Sequence, residues 1–296
     1  MDIRLVIGAH RTAMHHLRHV LEQNQDLLDK HNVLLPPVKK TNIVLDGIMK
    51  TIRRKKANED TGLLLVEKLT DGKRPDHLLI ITPQLSGSLR RPAVEGAFYR
   101  RGDGSLARLL DVLDDWHCRF YMATRNPATF LPSAYGASLR HTVKLSFEEY
   151  IEQADPFALR WSGYLHRLQG EYRENAVTTW SYEDYPFIWR EVAQAVAGLP
   201  NKEEIKAANK RIRRGMSLQG STLMFQYLQE NPVRDAEQFN KVCTAFEHKY
   251  PSDYGLPAEH IWPKDMQDTL TEGYEDDLYY IDRMEDMITI RKPDYS

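Results

Sequence analysis

Four short apolar runs punctuate the first two thirds of the chain: IRLVIG (Ile3 to Gly8), HLLIITP (His77 to Pro83), CRFYMATR (Cys118 to Arg125) and AVTTWSY (Ala176 to Tyr182). Runs of this length, bounded by Gly, Pro or charge, read as buried strands. The segments between them carry helical spacing, and strands that alternate with helices imply a mainly parallel sheet covered on both faces. Met14 to His31 repeats its apolar residues as one helix would, and NVLLPP then forbids further helix through its prolines. Ser105 and Ser146 are placed as helix N-caps, the second with Glu149 at the capping-box position. Beyond about residue 200 the pattern turns helical and polar. The expectation is one domain over residues 1–296, with an α/β core to residue 200 and a mostly helical portion from 201 to 296.

Composition narrows the class of partner. The 296 residues suffice for a full core, and 42% hydrophobic with 28% charged residues suits a folded chain. A formal net charge of −2 provides no overall field for nucleic acid or an anionic membrane, so any anion must be held locally. No stretch approaches the roughly 20 apolar residues of a membrane span, and the start MDIRLVIG lacks the basic and apolar regions of a leader. The two cysteines, Cys118 and Cys243, match no metal or redox spacing, so a reducing, cytoplasmic setting is expected. Nothing in the sequence speaks to oligomeric state.

The most informative stretch is IGAHRTAMHHLRHV, Ile7 to Val20. A strand running through a tight turn into a helix aims free backbone N–H groups and the positive helix end at one spot, which suits an anion. Arg11 adds fixed charge with planar donors and Thr12 a hydroxyl, while the Gly-Lys-Ser/Thr of a nucleoside-triphosphate loop is absent. His15 and His19 lie one helical turn apart, but no third ligand follows by spacing, so no metal is expected.

With GAHRTAMHHL the chain resembles the bacterial members of the PAPS-dependent sulfotransferase family, whose first turn reads G-x-H-R-T-G-T-T-x-L; Gly8, His10, Arg11, Thr12 and Leu17 match. RNPATFLPSAY is similar to the family's second motif, with Arg125 at a strand end and Ser133 eight positions on. SYED resembles its third, and RRGMS, with Arg213, Arg214 and Gly215, its late basic loop. The resemblance implies a three-layer P-loop-type α/β fold and transfer of a sulfuryl group from PAPS to an acceptor hydroxyl or amine, on a small molecule or carbohydrate, including a glycolipid. It implies that Arg125 and Ser133 hold the 3′-phosphate, that Tyr182 lies by the adenine and that Arg213, Arg214 and Gly215 close over the phosphate. Gly8, Arg11, Thr12, Ala13, His15 and His16 then surround the 5′ side and the ring, with Arg11 facing the sulfuryl group and His10 as the first choice of general base. Asp46 and Glu95 are other candidates for that base.

The chain also departs from the motif: Ala13, Met14 and His15 replace the family's Gly and two hydroxyl residues, and His16 stands for its stacking aromatic. Two further expectations therefore accompany the first. One is an inactive binding or scaffold protein on the same fold; the other is a transferase using a different donor.

Overall fold

The computed structural model describes residues 1–54, 59–100, 103–141, 145–171, 177–206, 216–251 and 262–293. The chain opens with strand β1 (Asp2–Gly8), helices α1 (Met14–Gln23) and α2 (Gln25–Lys30) and the two-residue strand β2 (Val33–Leu34). Helices α3 (Val38–Arg54) and α4 (Glu59–Thr70) lead to β3 (His77–Ile81). A small hairpin, β4 (Ala93–Val94) and β5 (Ala97–Phe98), precedes α5 (Asp103–Val112) and β6 (His117–Thr124). Then come α6 (Pro127–Ser138), α7 (Phe147–Ala154), α8 (Trp161–Glu171), β7 (Val177–Ser181) and α9 (Tyr185–Ala197). The C-terminal region holds α10 (Leu218–Glu230), α11 (Ala236–Lys249), α12 (Lys264–Ile281) and β8 (Met287–Ile290).

Among the described residues the main sheet has six parallel strands in the order β2-β3-β1-β6-β7-β8. After β1 the chain fills the positions on one side, then returns past β1 to fill the other. The carboxyl ends of β1 and β6 therefore flank a reversal of strand order, where α/β sheets open a crevice between diverging connections.

Successive residues of β1 serve opposite layers. Ile3, Leu5 and Ile7 pack with residues from α3, α5, α6, α8 and α12, whereas Val6 packs with α1 and α9. Leu5 and Val6 are both fully buried, as a strand covered on both faces requires, and each contributes about 2 kcal/mol of burial. Arg4 interrupts the apolar set. Its guanidinium donates to the Ala195 carbonyl at 2.8 Å and to the Tyr121 hydroxyl, and burial lowers its pKa. Gly198 ends α9 in the left-handed region with φ 69, and a Cβ there would meet the Arg4 guanidinium at 2.6 Å.

The expected α/β architecture with a helical C-terminal region is present. The structure corrects details within it. Met14 to His31 is two helices, because the Asn24 side chain donates to Val20 and Lys206 carbonyls and accepts the Lys206 N–H, turning the chain between them. Ser105 lies inside α5 rather than capping it, while Ser146 and Glu149 do form the reciprocal capping box. Four strands are absent from the sequence reading, β2, β4 and β5 because each is only two residues long and β8 because it follows a helical run. No helix among the described residues is long and apolar enough to cross a membrane. Cys118 and Cys243 are both free and buried.

Candidate functional site

The turn after β1 is closed from within. The Thr12 hydroxyl donates to the Ala9 carbonyl at 2.6 Å, and the Ala9 N–H ties the turn to the Ala123 carbonyl of β6 at 3.0 Å. Gly8 comes so near the loop after β3 that an added Cβ would lie 2.8 Å from the Ser86 hydroxyl. Arg11 and Ala13 both adopt left-handed backbone, with φ 64 and 60. Ala13 is the N-cap of α1 and provides no side-chain cap, so the helix presents its positive end to the crevice without an internal anion.

β6 delivers the second half. Asn126 caps α6 by accepting the Ala128 N–H at 2.9 Å, and Pro127 occupies the first helical position, where its missing N–H costs nothing. This start sets Arg125 at the strand end and Ser133 two turns into the helix. The Arg125 guanidinium donates to the Arg11 carbonyl at 2.6 Å and to the Thr129 hydroxyl at 3.0 Å, and lies 4.4 Å from the centre of the Tyr182 ring. Arg11 in turn donates through Nε to the Ser133 hydroxyl at 2.9 Å. Arg11, Arg125, Ser133 and Tyr182, from three loops and a helix, thus meet in one place. Among the described residues no carboxylate pairs with Arg125.

Several contacts that hold this arrangement are not signalled in the sequence, although Glu183 itself belongs to the SYED motif. Glu183 accepts from the Asn126 N–H, the Ser181 hydroxyl and the Tyr274 hydroxyl, each at 3.0 Å, so one carboxylate joins the ends of β6 and β7 to α12. Tyr274 also bonds Thr124 at 3.0 Å, and desolvation in this buried position holds its phenol pKa well above the ordinary value. The Trp161 indole donates to the Arg125 carbonyl at 2.7 Å. Apart from Ser181 and Glu183, two positions apart, these partners lie from 36 to 150 positions away along the chain, so no local spacing could have found them.

The remaining expected residues are distributed around this centre. His16 bonds the Tyr185 hydroxyl through Nδ1 at 2.9 Å and stands edge-on to Tyr185 and Trp189, forming an aromatic rim that is tied to Tyr182 by the Tyr185 N–H on the Tyr182 carbonyl at 3.2 Å. His15 is exposed at the first turn of α1, and Met14 is buried in the core. Thr12 is 2% exposed with its hydroxyl turned into the loop, so it shapes the turn where the sequence suggested an anion contact. His10 is buried against Tyr99. Glu95 sits on the exposed tip of the β4–β5 hairpin, ion-paired with Arg100 at 2.6 Å, and Asp46 is exposed on α3. Arg213, Arg214 and Gly215 lie outside the described residues. Among the described residues no group of three or more His, Cys, Asp or Glu side chains is placed to hold a metal ion.

Two guanidiniums, a hydroxyl and an aromatic face at the positive end of a helix can accept a phosphate or sulfate oxygen cluster beside a planar ring. Arg125 spends two of its five N–H donors on the turn and α6, which orients the fork. No protein-family model, no curated protein and no solved structure matches this chain.

Proposed function

We propose that the chain binds a 3′-phosphorylated adenosine nucleotide and acts as a sulfotransferase, moving a sulfuryl group from PAPS to an acceptor hydroxyl or amine of a carbohydrate or glycolipid. The observation that carries this reading is the convergence of Arg11, Arg125 and Ser133 beside the Tyr182 ring. Arg125 and Ser133 would hold the 3′-phosphate, with Tyr182 and the His16 rim against the adenine. Because the Arg11 Nε already rests on Ser133, Arg11 serves the same anion as Arg125 as well as the loop that faces the 5′ side. Bound PAPS would supply the transferable sulfuryl group; with the Ala9 and His10 N–H groups held by Ala123 and Tyr99, the backbone N–H groups from Thr12 into the first turn of α1 would stabilise the charge left on the departing oxygen.

A second reading, nucleotide binding without turnover, is favoured by Met14 and Thr12. Met14 is buried and carries no donor, and the Thr12 hydroxyl is committed to Ala9, so fewer side-chain donors face the 5′ side than the family motif implies.

Titration with 3′-phosphoadenosine 5′-phosphate, with ATP as control, tests the proposal by calorimetry and melting temperature. Ligand at a hundred times its dissociation constant should stabilise the fold by about 2.7 kcal/mol. Arg125→Ala removes charge-assisted bonds worth about 1.5–3 kcal/mol, so affinity should fall roughly 10- to 100-fold. Equal binding of ATP, or an Arg125→Ala variant that binds as tightly, would sink the assignment. Sulfate transfer from labelled PAPS to a panel of sugars and glycolipids then separates turnover from binding alone.

A further inference from the structure

Tyr99 follows the β4–β5 hairpin directly and takes a left-handed backbone, φ 52, that bulky L side chains rarely adopt. Its N–H donates to the Pro92 carbonyl at 2.8 Å, and its ring is buried beside Trp161 and Tyr164 with centroids 6.3 and 5.6 Å away. This backbone turn directs the phenol at the loop after β1. The phenol oxygen accepts the backbone N–H of His10 at 3.0 Å and lies 2.9 Å from His10 Nδ1.

A phenol has one proton, and a buried O–H without an acceptor costs the full desolvation of that group. Among the described residues the only acceptor within hydrogen-bond distance of the Tyr99 O–H is His10 Nδ1. The opposite arrangement, Nδ1–H donating to the phenol, leaves that buried O–H with no acceptor among them. We infer that Tyr99 is a positioning residue that donates to His10 Nδ1 and fixes the neutral imidazole with its proton on Nε2.

Full burial pushes the phenol pKa well above its ordinary value, so Tyr99 keeps the proton that this arrangement needs. The one unprotonated nitrogen of His10 is then engaged by Tyr99. His10 offers an Nε2–H donor and does not remove the acceptor's proton, which reverses the role that the sequence suggested for it. The consequence for catalysis rests on the proposed transfer reaction; the tautomer itself does not.

Long-range ¹H–¹⁵N NMR of the ¹⁵N-labelled full chain without ligand reads the tautomer directly, with His10 assigned through its backbone. The expected spectrum has a pyrrole-type Nε2 and a pyridine-type Nδ1 at neutral pH. A protonated Nδ1 with a bare Nε2 would overturn the inference and restore His10 as a base. In Tyr99→Phe the preference should relax toward a tautomer average, and an unchanged His10 spectrum there would remove Tyr99 from the role. If that variant does not fold, the wild-type spectrum alone decides. Failure of 3′-phosphoadenosine 5′-phosphate to bind a chain that shows the expected spectrum would count against the proposed function and leave this inference standing.

Discussion

Ala13 stands where the resembled motif has glycine, and its backbone is left-handed at φ 60, ψ 19. An L residue held there costs about 1–2 kcal/mol relative to glycine, from the approach of Cβ to the following carbonyl. Glycine returns part of that gain, about 0.4–1 kcal/mol, because its unfolded chain has more freedom to lose. Ala13→Gly should therefore stabilise the fold by about 0.5–1 kcal/mol, which also agrees with the preference for glycine over alanine at an N-cap. For a chain somewhat larger than 250 residues that corresponds to a rise of roughly 1–3 °C in melting temperature. Ala13→Val, with a branched Cβ in the same conformation, should lower stability by more than Ala13→Gly raises it. Scanning calorimetry and urea unfolding of the three proteins measure this ordering. If Ala13→Gly is the less stable protein by about the unfolded-state entropy alone, the turn does not hold Ala13 left-handed. The geometric account of the anion loop then fails with it.

Asp277 of α12 is 4% exposed and accepts the Trp161 N–H at 2.5 Å, the Ser162 N–H at 3.3 Å and the Ser162 hydroxyl, capping α8 from across the molecule. Asp277→Ala leaves those donors unmatched and should cost about 3 kcal/mol in urea unfolding, whereas Asp277→Asn, which keeps one acceptor, should cost about half as much. Desolvation, the largest influence, raises the Asp277 carboxyl above its ordinary value, so the native state holds this proton more tightly than the unfolded chain. Its contribution is fully present below the ordinary carboxylate pKa and declines as pH rises toward the elevated folded value; the decline should vanish in Asp277→Asn. Cys118 is buried with its thiol pKa pushed up to about 12, and burial also raises that of Cys243. Both should resist a thiol reagent at neutral pH until denaturant is added, and rapid labelling of the native chain would contradict their burial.

Periodicity over 5 to 18 residues is a local property, and it carried the strands β1, β3, β6 and β7 and most of the helices, as local capping chemistry carried the start of α7. The grouping of Arg125 with Ser133 was legible for the same reason, because Pro127 and two helical turns set their separation without help from the rest of the chain. Arg11 was legible as a turn residue, though its contact with Ser133 was not. That contact depends on how β1 and β6 lie side by side in the sheet.

Local sequence therefore specifies the set of elements and the residue types at their ends. The tertiary structure alone decided which ends meet. Strand order brought the turn after β1 between β3 and β6, and α12 returned from the far end of the chain to place Tyr274 on Glu183 and Asp277 under α8. It also set Tyr99, 89 positions from His10, against that histidine. Such contacts are chosen by burial and by the need of each buried donor for an acceptor, and those conditions exist only once the layers have packed.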